Sequence, residues 1–91
     1  GEDHLTQAMD FSLVDDVMTV SDKESFEIAR RLAREEGILA GGSSGTNVFA
    51  CLEIAKKAKK KTRIVTILPD SGLKYLSKIF DDKWMQDHNL L

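Results

Sequence analysis

The run RIVTIL, residues 63–68, constrains the fold of this 91-residue chain more than any other feature. Four of its residues in a row are β-branched, and such side chains pack well on the pleated surface of a sheet. Because a strand that is apolar on both faces needs a covering layer on each side, the run is typical of sheets flanked by helices. It ends at a Pro-Asp-Ser-Gly turn, residues 69–72. The run therefore predicts a buried strand followed by a sharp turn.

Two helices are predicted upstream of this strand. Ser21 and Glu24 form a capping-box pattern, so the first helix should begin at Asp22. Its apolar residues recur every three or four positions, which indicates one buried face. Gly37 supplies the left-handed cap that ends it. A second helix should follow the glycine-rich turn at residues 41–45, because apolar residues after the turn again recur at helical spacing.

Shorter segments complete the predicted order of elements. The β-branched run around Val17 and Val20 indicates a first strand, and residues 38–40 a brief buried one. A last helix is expected at about residues 73–80, followed by a tail, residues 81–91, that docks through its apolar side chains. Strand, helix, strand, helix, strand, helix is the order of an α/β layer with parallel strands. The predicted fold class is α/β, as part of a parallel, helix-flanked sheet.

Composition limits the classes of function. The length allows one small domain or a piece of a larger one, without a second domain, and the start at Gly1 looks like a cut. The net charge of -2 gives no general case for nucleic acid. Lysine fills five of the six positions 56–61, most simply as a solvated helix end. No apolar run long enough for a membrane span occurs. Cys51 is the single cysteine, which favours a reducing, cytoplasmic setting.

Two loops, residues 41–45 and 69–72, follow predicted strands, where ligands bind in α/β sheets. The glycines of the first loop allow a ligand to approach the backbone, and the next helix offers unpaired N–H groups, as in a phosphate cradle. A plain turn with Ser43 or Ser44 as N-cap explains the same residues and stays open on spacing alone. Neither serine sits in the GxSxG elbow of a hydrolase nucleophile.

The remaining reactive side chains favour structural roles. Asp70 and Ser71 are most simply an N-cap pair for the last helix. His4 and His88 lie near opposite ends of the chain without metal-ligand spacing, so no metal site is predicted. Cys51 falls on the apolar face of its helix, which predicts core packing rather than reactivity.

Three segments carry a more specific signal: VDDVMTVSDKESFEIARRLAREEG, EEGILAGGSSGTNVFACLEIAKK and IVTILPDSGLKYLSKIFDDKWM. In this order and spacing they resemble the C-terminal part of the pyridoxal-phosphate enzymes of the cysteine synthase and cystathionine β-synthase family. The resemblance covers almost the whole chain. The FDDKWM ending is more similar to cystathionine β-synthases than to cysteine synthases, so the first reading is cystathionine β-synthase-like, with cysteine synthase as the alternative.

The resemblance implies fold type II, two α/β domains with pyridoxal 5'-phosphate between them. It also implies β-replacement, in which serine or O-acetylserine loses its β-substituent and a thiol adds. Residues 1–91 would be the C-terminal portion of the catalytic core, with the missing N-terminal part, small amino-acid substrates and a second copy in a homodimer as partners. The family's Schiff-base lysine lies upstream, so no catalytic residue is assigned and the piece alone is predicted to be inactive and to expose apolar area. The alternative of another class is a non-catalytic α/β binding module.

One cofactor-binding residue carries over by resemblance. Ser43 matches the family residue whose hydroxyl hydrogen-bonds the pyridine nitrogen of the cofactor. A serine hydroxyl can donate that bond but cannot hold a pyridinium charge, and a positive helix end nearby disfavours ring protonation. By the same resemblance Gly42 and Gly45 keep the turn slim enough for the ring, and Pro69 and Asp70 line the same wall.

Overall fold

Helices account for nearly all regular structure in residues 9–91, the part of the chain that the computed structural model describes. Three α-helices occur: α1 Asp22–Arg31, α2 Gly42–Lys57 and α3 Asp82–Asp87. A π-helical segment, Leu32–Glu36, extends α1, and 3-10 turns span Phe11–Leu13 and Gly72–Tyr75. None of the described helices has the length and apolar character needed to cross a membrane.

The start and end of α1 confirm the sequence prediction. The Ser21 hydroxyl accepts a hydrogen bond from the Glu24 backbone N–H at 3.2 Å, and the Glu24 carboxylate accepts one from the Ser21 N–H at 3.0 Å. The pKa of the Glu24 carboxyl is held below its ordinary value by two hydrogen bonds, first the one from the Ser21 backbone N–H and then one that the Ser21 hydroxyl donates at 2.8 Å. At the other end Gly37 has a φ of 68°, the left-handed conformation that a glycine cap adopts.

The close packing of α1 against α2 depends on small residues. Gly45 is buried in the first turns of α2, and a Cβ at that position would overlap the backbone carbonyl oxygen of Ser25. The hydroxyls of Ser25 and Thr46 lie 2.6 Å apart and form a hydrogen bond between the two helices. Ala29, one turn further along α1, is fully buried. This contact fixes the first turn of α2 relative to α1.

The predicted sheet is wrong for the described chain, because no β-strand forms within residues 9–91. Residues 63–68 have no regular secondary structure, and Val65 and Ile67 are 84% and 72% exposed. Residues 38–40 contribute only an isolated antiparallel bridge, and residues 14–20 form no strand. Hydrogen bonds to a neighbouring strand hold a strand in place, and the described residues supply no such neighbour. The β-branched pattern is therefore present without the pairing that it predicts.

The last predicted helix also differs from the structure. In place of a helix over residues 73–80, a 3-10 turn and further turns lead to α3. Short helices depend on the packing of an apolar face, and Leu73 and Leu76 are exposed here. The tail docks as predicted at one point, since Met85 is fully buried. Arg30 of α1 holds this segment by donating to the Ile79 carbonyl oxygen at 2.9 Å.

Candidate functional site

A cavity of about 520 Å³ opens beside the first turn of α2. Its wall combines α1, the start of α2, the loop at Asp70 and the segment that leads into α3. Polar groups of several kinds line it, among them Ser43, Tyr75 and Lys78, while Trp84 contributes an aromatic ring. This volume lies within the range of small-molecule and cofactor pockets. The cavity is thus the candidate site of the described chain.

Ser43 lies in the first turn of α2, exposed on the cavity wall. The N-cap of α2 is Gly41, which has no side chain to cap the helix, so the alternative that Ser43 or Ser44 is the N-cap is wrong. No hydrogen bond joins the Ser43 hydroxyl to any of residues 9–91. The first turn of a helix also presents unpaired N–H groups and the positive end of the helix dipole. The Ser43 hydroxyl is therefore available to a ligand in the cavity.

Asp70, not a serine, caps α2. Its Oδ1 accepts hydrogen bonds from the backbone N–H of Gly41 at 3.2 Å, the N–H of Ser44 at 3.3 Å and the Ser44 hydroxyl at 2.6 Å. A carboxylate is favoured at this end of a helix by the dipole. The predicted N-cap pair is thus half correct: the Ser71 hydroxyl caps the following 3-10 turn by accepting from the Leu73 N–H at 3.2 Å, whereas Asp70 serves α2.

Backbone contacts join the two candidate loops into one unit. The Gly72 N–H donates to the Leu39 carbonyl oxygen at 3.1 Å, and an antiparallel bridge pairs Ala40 with Ser71. Glycine is required at this contact, because a Cβ on Gly72 would lie 2.8 Å from Leu39 Cγ and 2.9 Å from the Ala40 carbonyl oxygen. The loops that the sequence places at separate strand ends therefore meet beside the cavity.

The other residues expected near the site lie at different places in the structure. Gly42 and Asp70 line the cavity, whereas Pro69 is exposed and is absent from the lining. Gly45 does not line it either, because it packs against α1. Cys51 is half-buried rather than part of the core, since the C-terminal half of α2 has little to cover it among the described residues.

One of the two histidines, His88, falls within the described residues, and it does not line the cavity. His4 lies outside the described residues. The ring of His88 stacks on Trp84 with centroids 4.1 Å apart, and its Nδ1 lies 2.8 Å from the Trp84 carbonyl oxygen. Within residues 9–91 no group of histidine, cysteine and acidic side chains is arranged to hold a metal ion.

Sequence reasoning missed several residues of the cavity wall. Phe26 lies at its side with its ring 6.2 Å from that of Trp84. Tyr75, at the end of the 3-10 turn, and Lys78, just after that turn, also line the cavity. The helical period placed Phe26 on an apolar face but could not tell which element that face meets. The bond between Ser44 and Asp70 spans 26 residues, a separation at which periodicity gives no signal.

Comparison with known proteins gives the site a context. Cystathionine β-synthase of Dictyostelium discoideum is 42% identical over 91 residues, 100% of this chain and 18% of that protein. An O-acetylserine dependent cystathionine β-synthase of Bacillus subtilis is 44% identical over 78 residues, 86% of this chain and 25% of that protein. Cysteine synthase 1 of Neurospora crassa is 42% identical over 89 residues, 98% of this chain and 23% of that protein. The chain thus spans about a quarter or less of the length of these curated relatives.

A solved structure agrees with these relatives. It is that of a lysine-to-alanine mutant of O-ureido-L-serine synthase with O-ureido-L-serine bound, 38% identical, with a TM-score of 0.76. The match covers 89% of this chain and 28% of that one. The family model described as pyridoxal-phosphate dependent enzyme matches residues 4–70, which include the glycine-rich turn and Asp70. With relatives and family model in agreement, the chain belongs to the family of pyridoxal-phosphate dependent enzymes.

Proposed function

We propose that this chain forms one wall of the cofactor site in an enzyme of the cystathionine β-synthase type. Such an enzyme replaces the β-substituent of serine or O-acetylserine with the thiol of homocysteine to give cystathionine. The observation that carries the proposal is the Ser43 hydroxyl, which lies on the wall of the cavity at the positive end of α2 with no partner among residues 9–91. Relatives named cystathionine β-synthase and cysteine synthase support the reaction class.

The residues present fit the ring edge of pyridoxal 5'-phosphate. Ser43 offers a hydroxyl donor that suits a pyridine nitrogen, and Phe26 and Trp84 supply apolar surface in the same cavity. Two acidic groups, Asp22 and Asp70, line this wall, and Asp70 has its Oδ1 occupied by three donors of α2. As a neutral donor, the Ser43 hydroxyl would hydrogen-bond the ring nitrogen without holding a pyridinium charge. When bound, the cofactor supplies an electron-accepting ring for bonds at the amino-acid Cα.

The rest of the enzyme would complete the site and the fold. We place residues 1–91 as the C-terminal portion of the catalytic core, with the Schiff-base lysine and the phosphate loop in the missing N-terminal part. The exposed run at residues 63–68 has the composition of a strand covered on both faces, so it would pair within a parallel, helix-flanked sheet in the complete protein. By this reasoning the piece alone is inactive. A homodimer in the cytoplasm is part of the same proposal.

The alternative within the same chemistry is a cysteine synthase, in which sulfide replaces homocysteine. Relatives of that name match as much of the chain, including cysteine synthase 1 of Neurospora crassa. The FDDKWM ending, residues 80–85, favours the cystathionine reading by its resemblance. A non-catalytic binding module has no comparable support, because the family match extends over residues 4–70 rather than over the glycine-rich turn alone.

The test compares the full-length protein with its Ser43→Ala variant. A lost neutral hydrogen bond costs about 1 kcal/mol, so we expect cofactor affinity to fall roughly fivefold, together with a shift in the absorbance of the bound cofactor. Ser43→Asp should lower turnover more, because a carboxylate favours a protonated ring nitrogen. Ser77→Ala is the matched control, since Ser77 is exposed and does not line the cavity.

The choice of substrates is measured with the same full-length protein. Serine and O-acetylserine are each paired with homocysteine and with sulfide, and the products are separated by chromatography. We expect cystathionine as the main product. Cysteine as the main product would replace the first reading by the cysteine synthase alternative. Absence of any bound cofactor in the full-length protein would refute both.

A further inference from the structure

We propose that Asp70 is a positioning residue for the Ser43 hydroxyl, acting through the backbone of α2. This inference rests on the proposed function, because it concerns how the cofactor-facing side chain is held. Asp70 lies on the neighbouring loop, and its Oδ1 is the acceptor for the first turn of α2. No other side chain among residues 9–91 caps this helix at its N-terminus.

Asp70 accepts hydrogen bonds from residues on both sides of Ser43 in the sequence. One donor, the Gly41 N–H, lies two residues before Ser43, and the other backbone donor, the Ser44 N–H, lies directly after it. Because a single oxygen accepts both bonds, the peptide unit that ends at Gly41 and the one that joins Ser43 to Ser44 are fixed to the same point. The direction in which the Ser43 side chain leaves the helix is set by that backbone.

The side chain of Ser44 strengthens this arrangement. It is fully buried, and its hydroxyl donates to the Asp70 Oδ1 at 2.6 Å. The two adjacent serines therefore differ in role: Ser44 bonds inward to the neighbouring loop, whereas Ser43 faces the cavity. Removal of the Asp70 carboxylate would leave the Ser44 N–H without its acceptor, and it would leave the Gly41 N–H and the buried Ser44 hydroxyl only their longer contacts, both 3.4 Å, to the Asp70 carbonyl oxygen, so the turn would relax.

The residue at position 41 is adapted to the same contact. A Cβ on Gly41 would overlap the Asp70 carboxylate, so the glycine allows the carboxylate to lie directly against the helix N-terminus. The Gly41 N–H also lies 3.4 Å from the Asp70 carbonyl oxygen. The carboxylate thus packs against the backbone of α2, which fits a role in holding the turn rather than in touching the ring nitrogen.

A double-mutant cycle in the full-length protein tests the inference. Apo forms of the wild type, Asp70→Ala, Ser43→Ala and the double variant are titrated with pyridoxal 5'-phosphate, and the absorbance spectrum of the bound cofactor is recorded. We expect Asp70→Ala to weaken cofactor binding about fivefold when Ser43 is present, as Ser43→Ala does, and less than about twofold when position 43 is alanine. The spectral shift of Asp70→Ala should match that of Ser43→Ala.

Thermal unfolding of the apo forms separates positioning from general stability. We expect Asp70→Ala to lower the unfolding midpoint equally in both backgrounds, because that effect does not pass through the Ser43 hydroxyl. Asp70→Asn keeps a carbonyl acceptor but loses the charge, so it should lose less affinity than Asp70→Ala, with the loss again confined to the Ser43 background, and it carries the test if Asp70→Ala does not fold. Asp16→Ala is the control, since Asp16 is exposed, accepts a hydrogen bond from the adjacent Val17 N–H and does not line the cavity.

The outcomes distinguish this inference from the proposed function. An equal loss of affinity on both backgrounds, or no loss in Asp70→Ala or Asp70→Asn, overturns the positioning role while the proposed function stands. A wild-type protein that binds no pyridoxal 5'-phosphate refutes the proposed function, and the inference falls with it. Loss confined to the Ser43 background, with the shared spectral shift, supports both.

Discussion

Gly45→Ala is expected to destabilise the full-length protein, although alanine is the better helix former. At an unhindered position inside a helix this substitution stabilises by up to about 1 kcal/mol. At position 45 the new Cβ would overlap the Ser25 carbonyl oxygen and lie 2.9 Å from the Ser25 carbonyl carbon and 3.1 Å from the Ala29 nitrogen. All three obstacles are backbone atoms of α1, so the helices must separate.

The expected size follows from these two opposing effects. Overpacking of a well-packed contact costs about 1 to 3 kcal/mol, and because the obstacles are backbone atoms that cannot rotate away, we expect the upper part, about 2 to 3 kcal/mol, against a gain in helix propensity of about 1 kcal/mol. We therefore expect a net loss of about 1 to 2 kcal/mol and a lowering of the unfolding midpoint by several degrees. The assay is thermal and denaturant unfolding of the full-length apo protein, which reports the contact without depending on catalysis.

Two further variants make the result decisive. Ser25→Ala combined with Gly45→Ala should not restore stability, because shortening a side chain does not move a backbone carbonyl. Gly37→Asn is the control glycine substitution, since no atom would lie within 4 Å of its Cβ and asparagine tolerates the φ of 68°. A midpoint unchanged or raised in Gly45→Ala would refute the reasoning, as would full rescue by Ser25→Ala.

Two other predictions concern acid stability and the exposed apolar run. The pKa of Glu24 is lowered in the folded chain, so its stabilising contribution is present above the unfolded value near 4.5 and is lost as the pH falls through the folded one. The difference in unfolding midpoint between the wild type and Glu24→Gln should therefore shrink as the pH falls from about 6 to about 3; a constant difference would contradict it. Val65 is 84% exposed in the described chain, but residues 63–68 are expected to be buried in a sheet of the full-length protein. Val65→Asp should therefore greatly reduce the soluble yield of that protein, whereas the control Lys60→Asp should not. Equal soluble yields of the two variants would contradict the burial of residues 63–68.

The parts of the fold that sequence reasoning predicted correctly depend on neighbours in the chain. The capping box at Ser21 and Glu24 and the left-handed Gly37 each use groups within a few residues, so the pattern alone specifies the geometry. The strand at residues 63–68 was predicted by an equally clear pattern, yet pairing requires a second strand that residues 9–91 do not provide. Local chemistry determines the ends of a helix, while a strand depends on what lies beside it.

The same difference between local and distant contacts decides which residues of the candidate site could be predicted from the sequence. Ser43 was found through a resemblance that covers the chain, and the structure places it on the cavity wall. The sequence assigns Asp70 to the wrong helix, because a capping residue is most simply expected to cap the helix that follows it directly. In the structure Asp70 instead bonds Ser44 of α2, which lies 26 positions away. Lys78 and Trp84 lie in the wall only because the final turns fold back onto α1, which no local pattern indicates.

The cap that Asp70 provides explains why a serine at the start of a helix can serve a ligand. A serine at the N-cap position commonly uses its hydroxyl to accept from the helix backbone, which removes it from other contacts. In α2 the cap position is Gly41, and the acceptor comes from across the site, so the first turn is satisfied without Ser43. The Ser43 hydroxyl is therefore not held by a capping bond and can turn into the cavity. The Asp70 carboxylate thus stabilises the helix end, and under the proposed function the Ser43 hydroxyl contacts the ligand.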